Sequence, residues 1–162
     1  MNLIRAEVKA KYLVKELESF CDQIEIVGKI RRRKDSIDKI EILLAPKGAS
    51  LFGLMYKITE MGGEGGMKVA SKKTILLKDG LEEVLADLWF TTIEKWSVTL
   101  LLKTGGVRSN QRIAKLCSEK NWQLSIGEGA IYDEKGKKLP IKEEKDIYSL
   151  LGIPFIEPSL RE

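Results

Sequence analysis

Histidine is absent from all 162 residues, and cysteine occurs only twice, at Cys21 and Cys117. Without histidine there is no Ser-His-Asp triad, no histidine-ligated zinc and no imidazole general base. The two cysteines lack metal-ligand spacing. No disulfide framework is expected, a reduced cytoplasmic setting is, and both thiols are expected to be buried and inert. No apolar run approaches the roughly 18 residues of a membrane span. The opening Met1-Asn2-Leu3-Ile4-Arg5 leads into no continuous apolar stretch, so neither a secretory signal nor a membrane partner is expected.

Hydrophobic residues make up 43% of the chain, enough for a real core in one compact domain or two small subdomains. The net charge is +4 and the pI about 9.0, a mild basic excess whose placement matters more than its sum. Five of the six residues from Lys29 to Lys34 are basic: Lys29, Arg31, Arg32, Arg33 and Lys34. Such a cluster suits a polyanion, nucleic acid or a phosphate group. The competing reading is a solvated turn between strands.

The pattern along the chain predicts an amphipathic helix over 2–20 with Ile4, Val8, Tyr12, Leu13, Leu17 and Phe20 on one face. A strand follows at Ile24–Val27, ended by Gly28 and the basic turn, then a strand over 40–45 stopped by Pro46. A helix over 49–61 packs Leu51, Leu54, Met55 and Ile58. Gly62-Gly63-Glu64-Gly65-Gly66 lacks the Lys-Ser/Thr ending of a phosphate loop and reads as a connection. Strands are expected at 73–78 and 84–90, separated by Asp79-Gly80. The apolar run 96–102 fits helix or strand equally. After a break at Thr104-Gly105-Gly106 come a basic helix over 107–120, short strands at 123–126 and 130–132, and a last helix over about 142–151 closed by Gly152 and Pro154. This order predicts an α+β fold with a mixed sheet, and the break divides the chain into 1–103 and 104–162. Trp89, Trp96 and Trp122 are expected in the core or in contacts between subdomains.

Two acids stand out. In Ser36-Ile37-Asp38-Lys39-Ile40-Glu41-Ile42-Leu43-Leu44, strand alternation puts Ile40, Ile42 and Leu44 on the core face and Lys39 with Glu41 on the other. Asp38 falls with the core face unless the strand is bulged. Asp87 sits inside the apolar strand Val84–Phe90, where an unpaired carboxylate is costly and a partner is required.

Taken together these pieces resemble the nucleotidyltransferase palm of the family X DNA polymerases. That family carries a Gly-Ser-x-Arg-Arg turn, Asp-x-Asp on the next strand, and a third Asp on a neighbouring strand. Here the turn reads Gly28-Lys29-Ile30-Arg31-Arg32, the strand Lys39-Ile40-Glu41, and the third acid is Asp87. The likeness continues through Thr104-Gly105-Gly106, Asn110 and Arg112, Glu144–Tyr148 and the ending Gly152–Glu162, which are similar to the family's thumb. The resemblance implies a palm with a mixed sheet flanked by helices, a small α/β thumb, and no room for lyase or helix-hairpin-helix domains ahead of the palm. It further implies DNA synthesis on gapped or primed DNA from nucleoside triphosphates, with Mg2+ or Mn2+ held by Glu41 and Asp87. Two ions stabilise the attacking and leaving oxygens in such sites. By the same resemblance Gly28, Lys29 and Arg32 take the nucleotide phosphates, and Arg31, Arg33, Lys34, Arg108, Asn110 and Arg112 contact DNA. A helix-cap role for Asn110, and a solvated face for Arg108 and Arg112, compete with those assignments.

Lys39 breaks the pattern, standing where the first, metal-bridging Asp is expected. Three arrangements are open. The ammonium can sit between Glu41 and Asp87 in place of a cation; a bulge can turn Asp38 toward the two acids; or one metal can remain on Glu41 and Asp87. The corresponding functions are an impaired polymerase-like nucleotidyltransferase and a non-catalytic DNA- or nucleotide-binding subunit of a replication or repair assembly.

Overall fold

The computed structural model describes residues 1–162. Two compact units divide the chain, Met1–Ile93 and Glu94–Glu162. The fold is α+β with a mixed four-stranded sheet in the first unit and a two-stranded sheet in the second. No helix is long and apolar enough to cross a membrane.

The first unit opens with helix α1 (Leu3–Leu17), started by Asn2, whose side-chain oxygen accepts the Arg5 N–H at 2.9 Å. Strand β1 (Cys21–Ile26), the four-residue helix α2 (Gly28–Arg31), strand β2 (Ile40–Pro46), helix α3 (Leu51–Glu60) and the hairpin β3 (Lys72–Asp79) and β4 (Glu82–Phe90) follow. Strand order is β1-β2-β4-β3. β1 is antiparallel to β2, β2 parallel to β4, and β4 antiparallel to β3. The parallel pair needs a crossover, and α3 supplies it. Alternation sends Ile40, Ile42, Leu44, Ala86 and Leu88 into a core shared with Leu54, Met55 and Ile58 of α3.

The buried face of α1 differs from the expected one. Leu13 and Leu17 are buried, but the rest of that face is Ala6 and Ala10, while Ile4, Val8 and Tyr12 lie exposed. The expected stripe was too broad for one helix face. At 100° per residue the arc from Ile4 through Val8, Tyr12 and Leu13 to Leu17 covers more than half the circumference, and the two alanines let the helix lie close to the sheet. The glycine-rich connection also has more order than a bare linker. Lys73 is buried, and its ammonium donates to the carbonyls of Glu64 (3.3 Å) and Gly66 (2.5 Å), folding residues 62–68 over the β3 edge.

The second unit contains α4 (Trp96–Thr104), α5 (Val107–Glu119), β5 (Gln123–Ser125), β6 (Ala130–Tyr132) and α6 (Glu144–Leu150). The ambiguous run 96–102 is therefore helix. Thr104-Gly105-Gly106 lies inside this unit, between α4 and α5. Its core joins Val98, Leu101, Ile113, Cys117, Ile131, Ile147, Tyr148 and Leu151. Arg161 is also buried there. Its guanidinium pairs with Glu144 at 2.8 Å, donates to the Ile156 carbonyl at 2.9 Å and lies over the Tyr148 and Phe155 rings. Cys21 and Cys117 are free and buried, and burial pushes both thiols up, Cys21 to about 11. At neutral pH such thiols are protonated and poor nucleophiles.

Candidate functional site

The parallel register of β2 and β4 sets Glu41 beside Asp87, so both carboxylates leave the sheet on the face opposite the helices. Lys39 joins them from the residue just before β2. Its ammonium lies 2.7 Å from Asp87 Oδ2 and 3.7 Å from Glu41 Oε1. Of the three arrangements open in the sequence, the geometry is that of the first.

Asp87 is buried and has further partners that the sequence reading missed. The Thr74 hydroxyl donates to Oδ1 at 2.8 Å and the Lys72 ammonium stands 3.5 Å from the same oxygen. Lys72 also covers the Trp89 ring, with its nitrogen 5.4 Å from the centroid. The signal for Thr74 was the hairpin register. Asp79 pairs with Glu82 across Gly80-Leu81, and the same register carries Thr74 opposite Asp87.

Burial raises the Asp87 carboxyl, but hydrogen bonds from Lys39 and Thr74 and the charges of Lys39 and Lys72 outweigh it and hold the group below its ordinary value. The hydrogen bond to Asp87 raises Lys39, against the opposing effect of burial and with help from Glu41. Asp87, depressed in the folded state, adds stability that is complete above the unfolded carboxylate range and lost as pH falls through the lowered value. Lys39, raised, adds stability that is complete below the unfolded lysine range and lost as pH rises through the higher value. The pair therefore contributes a plateau between about pH 5 and pH 10. In urea titrations, Asp87→Asn is expected to lower the plateau and weaken the acid limb of the first unit's stability profile.

Gly28 has a φ of +64° and faces Glu41; a Cβ there would collide with the carboxylate. Glycine is thus required twice over, by backbone sign and by contact. Arg32, the residue that caps the end of α2, lies within the field of Glu41: burial lowers its pKa and Glu41 opposes the shift. The bend, Glu41, Lys39 and Asp87 thus form one neighbourhood on one sheet face.

Asp38 lies elsewhere. It is exposed and bonded to Lys29 at 2.9 Å, and that contact holds its carboxyl below the ordinary value. The expected core-face placement fails because regular strand geometry begins only at Ile40. In the same bend Arg33 is exposed, with a φ of +56° and a long 3.9 Å contact to Glu7. In the second unit, Asn110 donates its side-chain amide to the Leu102 carbonyl at 2.9 Å, tying α5 to the end of α4. Arg108 and Arg112 are exposed on α5, Arg108 with only a 3.8 Å contact to Glu162.

The donor set does not fit a divalent ion. Such ions take several oxygen ligands and are repelled by fixed cations. Here the two carboxylates already carry the Lys39 ammonium between them, Lys72 adds a second cation, and no cluster of three ligating side chains forms.

Residues 99–162 match the family model described as the DNA polymerase beta thumb. The matched span holds most of α4 and all of α5, β5, β6 and α6, and includes Asn110, Arg112 and the buried Arg161. No curated protein matches the chain.

Proposed function

We propose that the chain is a family X polymerase-like module, a palm in the first unit and a thumb in the second, that holds gapped or primed DNA with an ammonium in place of the catalytic metals. The observation that carries this reading is the Lys39 nitrogen 2.7 Å from Asp87 and 3.7 Å from Glu41. Nucleotidyl transfer of this kind relies on divalent ions to stabilise charge on the attacking and leaving oxygens. An ammonium neutralises the carboxylates and preserves the fold, but supplies no open coordination position. The thumb match and the order of motifs support the nucleic-acid side of the reading.

In this reading Gly28, Lys29 and Arg32 receive a nucleotide or DNA phosphate. Arg31, Arg33, Lys34, Arg108 and Arg112 supply cations along the DNA backbone, with Asn110 spent on the α4 carbonyl. The role is that of a non-catalytic subunit within a replication or repair assembly.

Binding dominated by phosphate contacts falls steeply with salt. Titration of a labelled gapped duplex against rising salt is expected to give a linear log–log plot. Arg33→Ala and Lys34→Ala should each shallow the slope by about 1 and weaken all sequences alike. A slope unchanged in both variants would remove the basic bend from the interface, and absence of duplex binding at low salt would remove the function.

A further inference from the structure

The inner groups of the Gly28 bend already face anions of the chain's own. The Lys29 ammonium lies 2.9 Å from Asp38 Oδ1. Asp38 is exposed, but its place is fixed from both sides. Ile37 before it is buried and donates its N–H to the Met1 carbonyl at 2.9 Å, and Ile40, two residues on, is buried as the first residue of β2. The backbone N–H of Lys39 also donates to the Asp38 carboxylate. A second acid stands over Gly28. A Cβ there would collide with Glu41 Oε2, so this oxygen fills the space through which a ligand would reach the glycine from that side. Its charge also acts on Arg32, and the other oxygen lies 3.7 Å from the Lys39 ammonium.

The outer cations are freer. Arg33 is exposed, with only the 3.9 Å contact to Glu7, and Lys34 makes no ion pair. Arg31 is half-buried and engaged within the chain. One more acid belongs to the bend: Asp35, exposed and in no ion pair.

We propose that Asp38 and Glu41 latch this bend against unattached phosphate compounds, so that it accepts a phosphate of DNA and rejects a free nucleoside triphosphate. The inference rests on the DNA-binding reading and names the substrate class of the same site. A free triphosphate must displace Asp38 from Lys29 and approach Glu41 with nothing else holding it. Repulsion of the wrong ligand is a general source of specificity. A DNA phosphate is held near the bend by contacts along the rest of the backbone, Arg33 and Lys34 among them, and this raises its effective concentration at Lys29. Asp38, exposed, can yield to it. Glu41, half-buried and beside Lys39, remains in place.

The test sets the full chain against inorganic tripolyphosphate and against a labelled gapped duplex. Metal-free buffer at about 0.15 M salt limits long-range charge effects. Tripolyphosphate binding is read from the amide shifts of residues 28–34, duplex binding from fluorescence anisotropy. Asp38→Asn keeps the shape and removes the charge. It is expected to tighten tripolyphosphate about tenfold and the duplex only about twofold. Asp35→Asn changes the net charge equally and should leave tripolyphosphate binding within about twofold. In a Lys29→Ala background Asp38→Asn should gain nothing, because the cycle isolates the coupling through that nitrogen. Asp35 and Asp38 are exposed, so the thermal melts should stay close to that of the natural chain and report any misfolding. Equal gains from Asp35→Asn and Asp38→Asn, a gain that survives Lys29→Ala, or a natural chain that binds tripolyphosphate as tightly as Asp38→Asn would each overturn the latch while duplex binding stands. A duplex bound by none of the chains would overturn the DNA-binding reading, and the latch with it.

Discussion

Lys39→Asp is expected to make the stability of the first unit depend on a divalent metal. The substitution removes a cation 2.7 Å from Asp87 and adds a third carboxylate beside Glu41. A unit charge 4 Å from another contributes about 4 kcal/mol at an effective dielectric of about 20, and a divalent ion doubles that. Even a fraction of it, about 2.7 kcal/mol, corresponds to Mn2+ binding about 100-fold tighter than in the natural chain. The substituted chain should melt earlier in chelator, because its carboxylates then repel one another. It should recover as Mn2+ is added, since a ligand bound only by the folded state stabilises it by mass action. Thermal scans with and without Mn2+, on both chains, provide the measurement. A natural chain that gains as much from Mn2+ as the variant would show that the ammonium does not exclude the ion.

The largest loss of stability is expected at Glu144→Ala in the second unit. Arg161 has no exposed side-chain surface, and Glu144 is the carboxylate that pairs with it, at 2.8 Å. Removing the acid strands a guanidinium among Tyr148, Phe155 and apolar neighbours. Breaking one partner of a buried pair costs about 3–5 kcal/mol, a large part of a small unit's stability. Denaturant unfolding followed by the fluorescence of Trp96 and Trp122 would detect it. Replacing both members, Glu144→Leu with Arg161→Met, should recover much of the loss, because no charge is then left buried. Equal instability of the double variant would mean that Arg161 acts by shape and ring contact and not through charge.

Much of this was legible in the sequence because it rests on periodicity. Alternation in Ile40–Leu44 gave the core face of β2 and the outward place of Glu41, and the apolar setting of Asp87 announced that it needs a partner; the face the two acids share comes from the parallel register. The Gly28 bend was readable because its positive φ and close approach leave room for no other residue. What escaped depends on contacts distant in sequence. Thr74 and Lys72 reach Asp87 through a strand register, and Arg5 and Lys9 reach Asp79 across most of the first unit. The Asp79-Gly80 turn signals the hairpin but does not fix its register, and the Arg5 and Lys9 contacts leave no local pattern. The buried face of α1 escapes periodicity because apolar spacing alone does not say how near the sheet the helix lies. Two alanines settle that distance, and the larger side chains turn outward. Asp38 was misplaced by extending strand alternation into residues that are not yet strand.

The most direct test is single-nucleotide incorporation by the natural chain on a saturating gapped duplex, with Mn2+ and the complementary nucleoside triphosphate. An ammonium held by Asp87 and Glu41 predicts bound DNA and an unextended primer. A primer lengthened by one nucleotide, with the product abolished by Asp87→Ala, would contradict it.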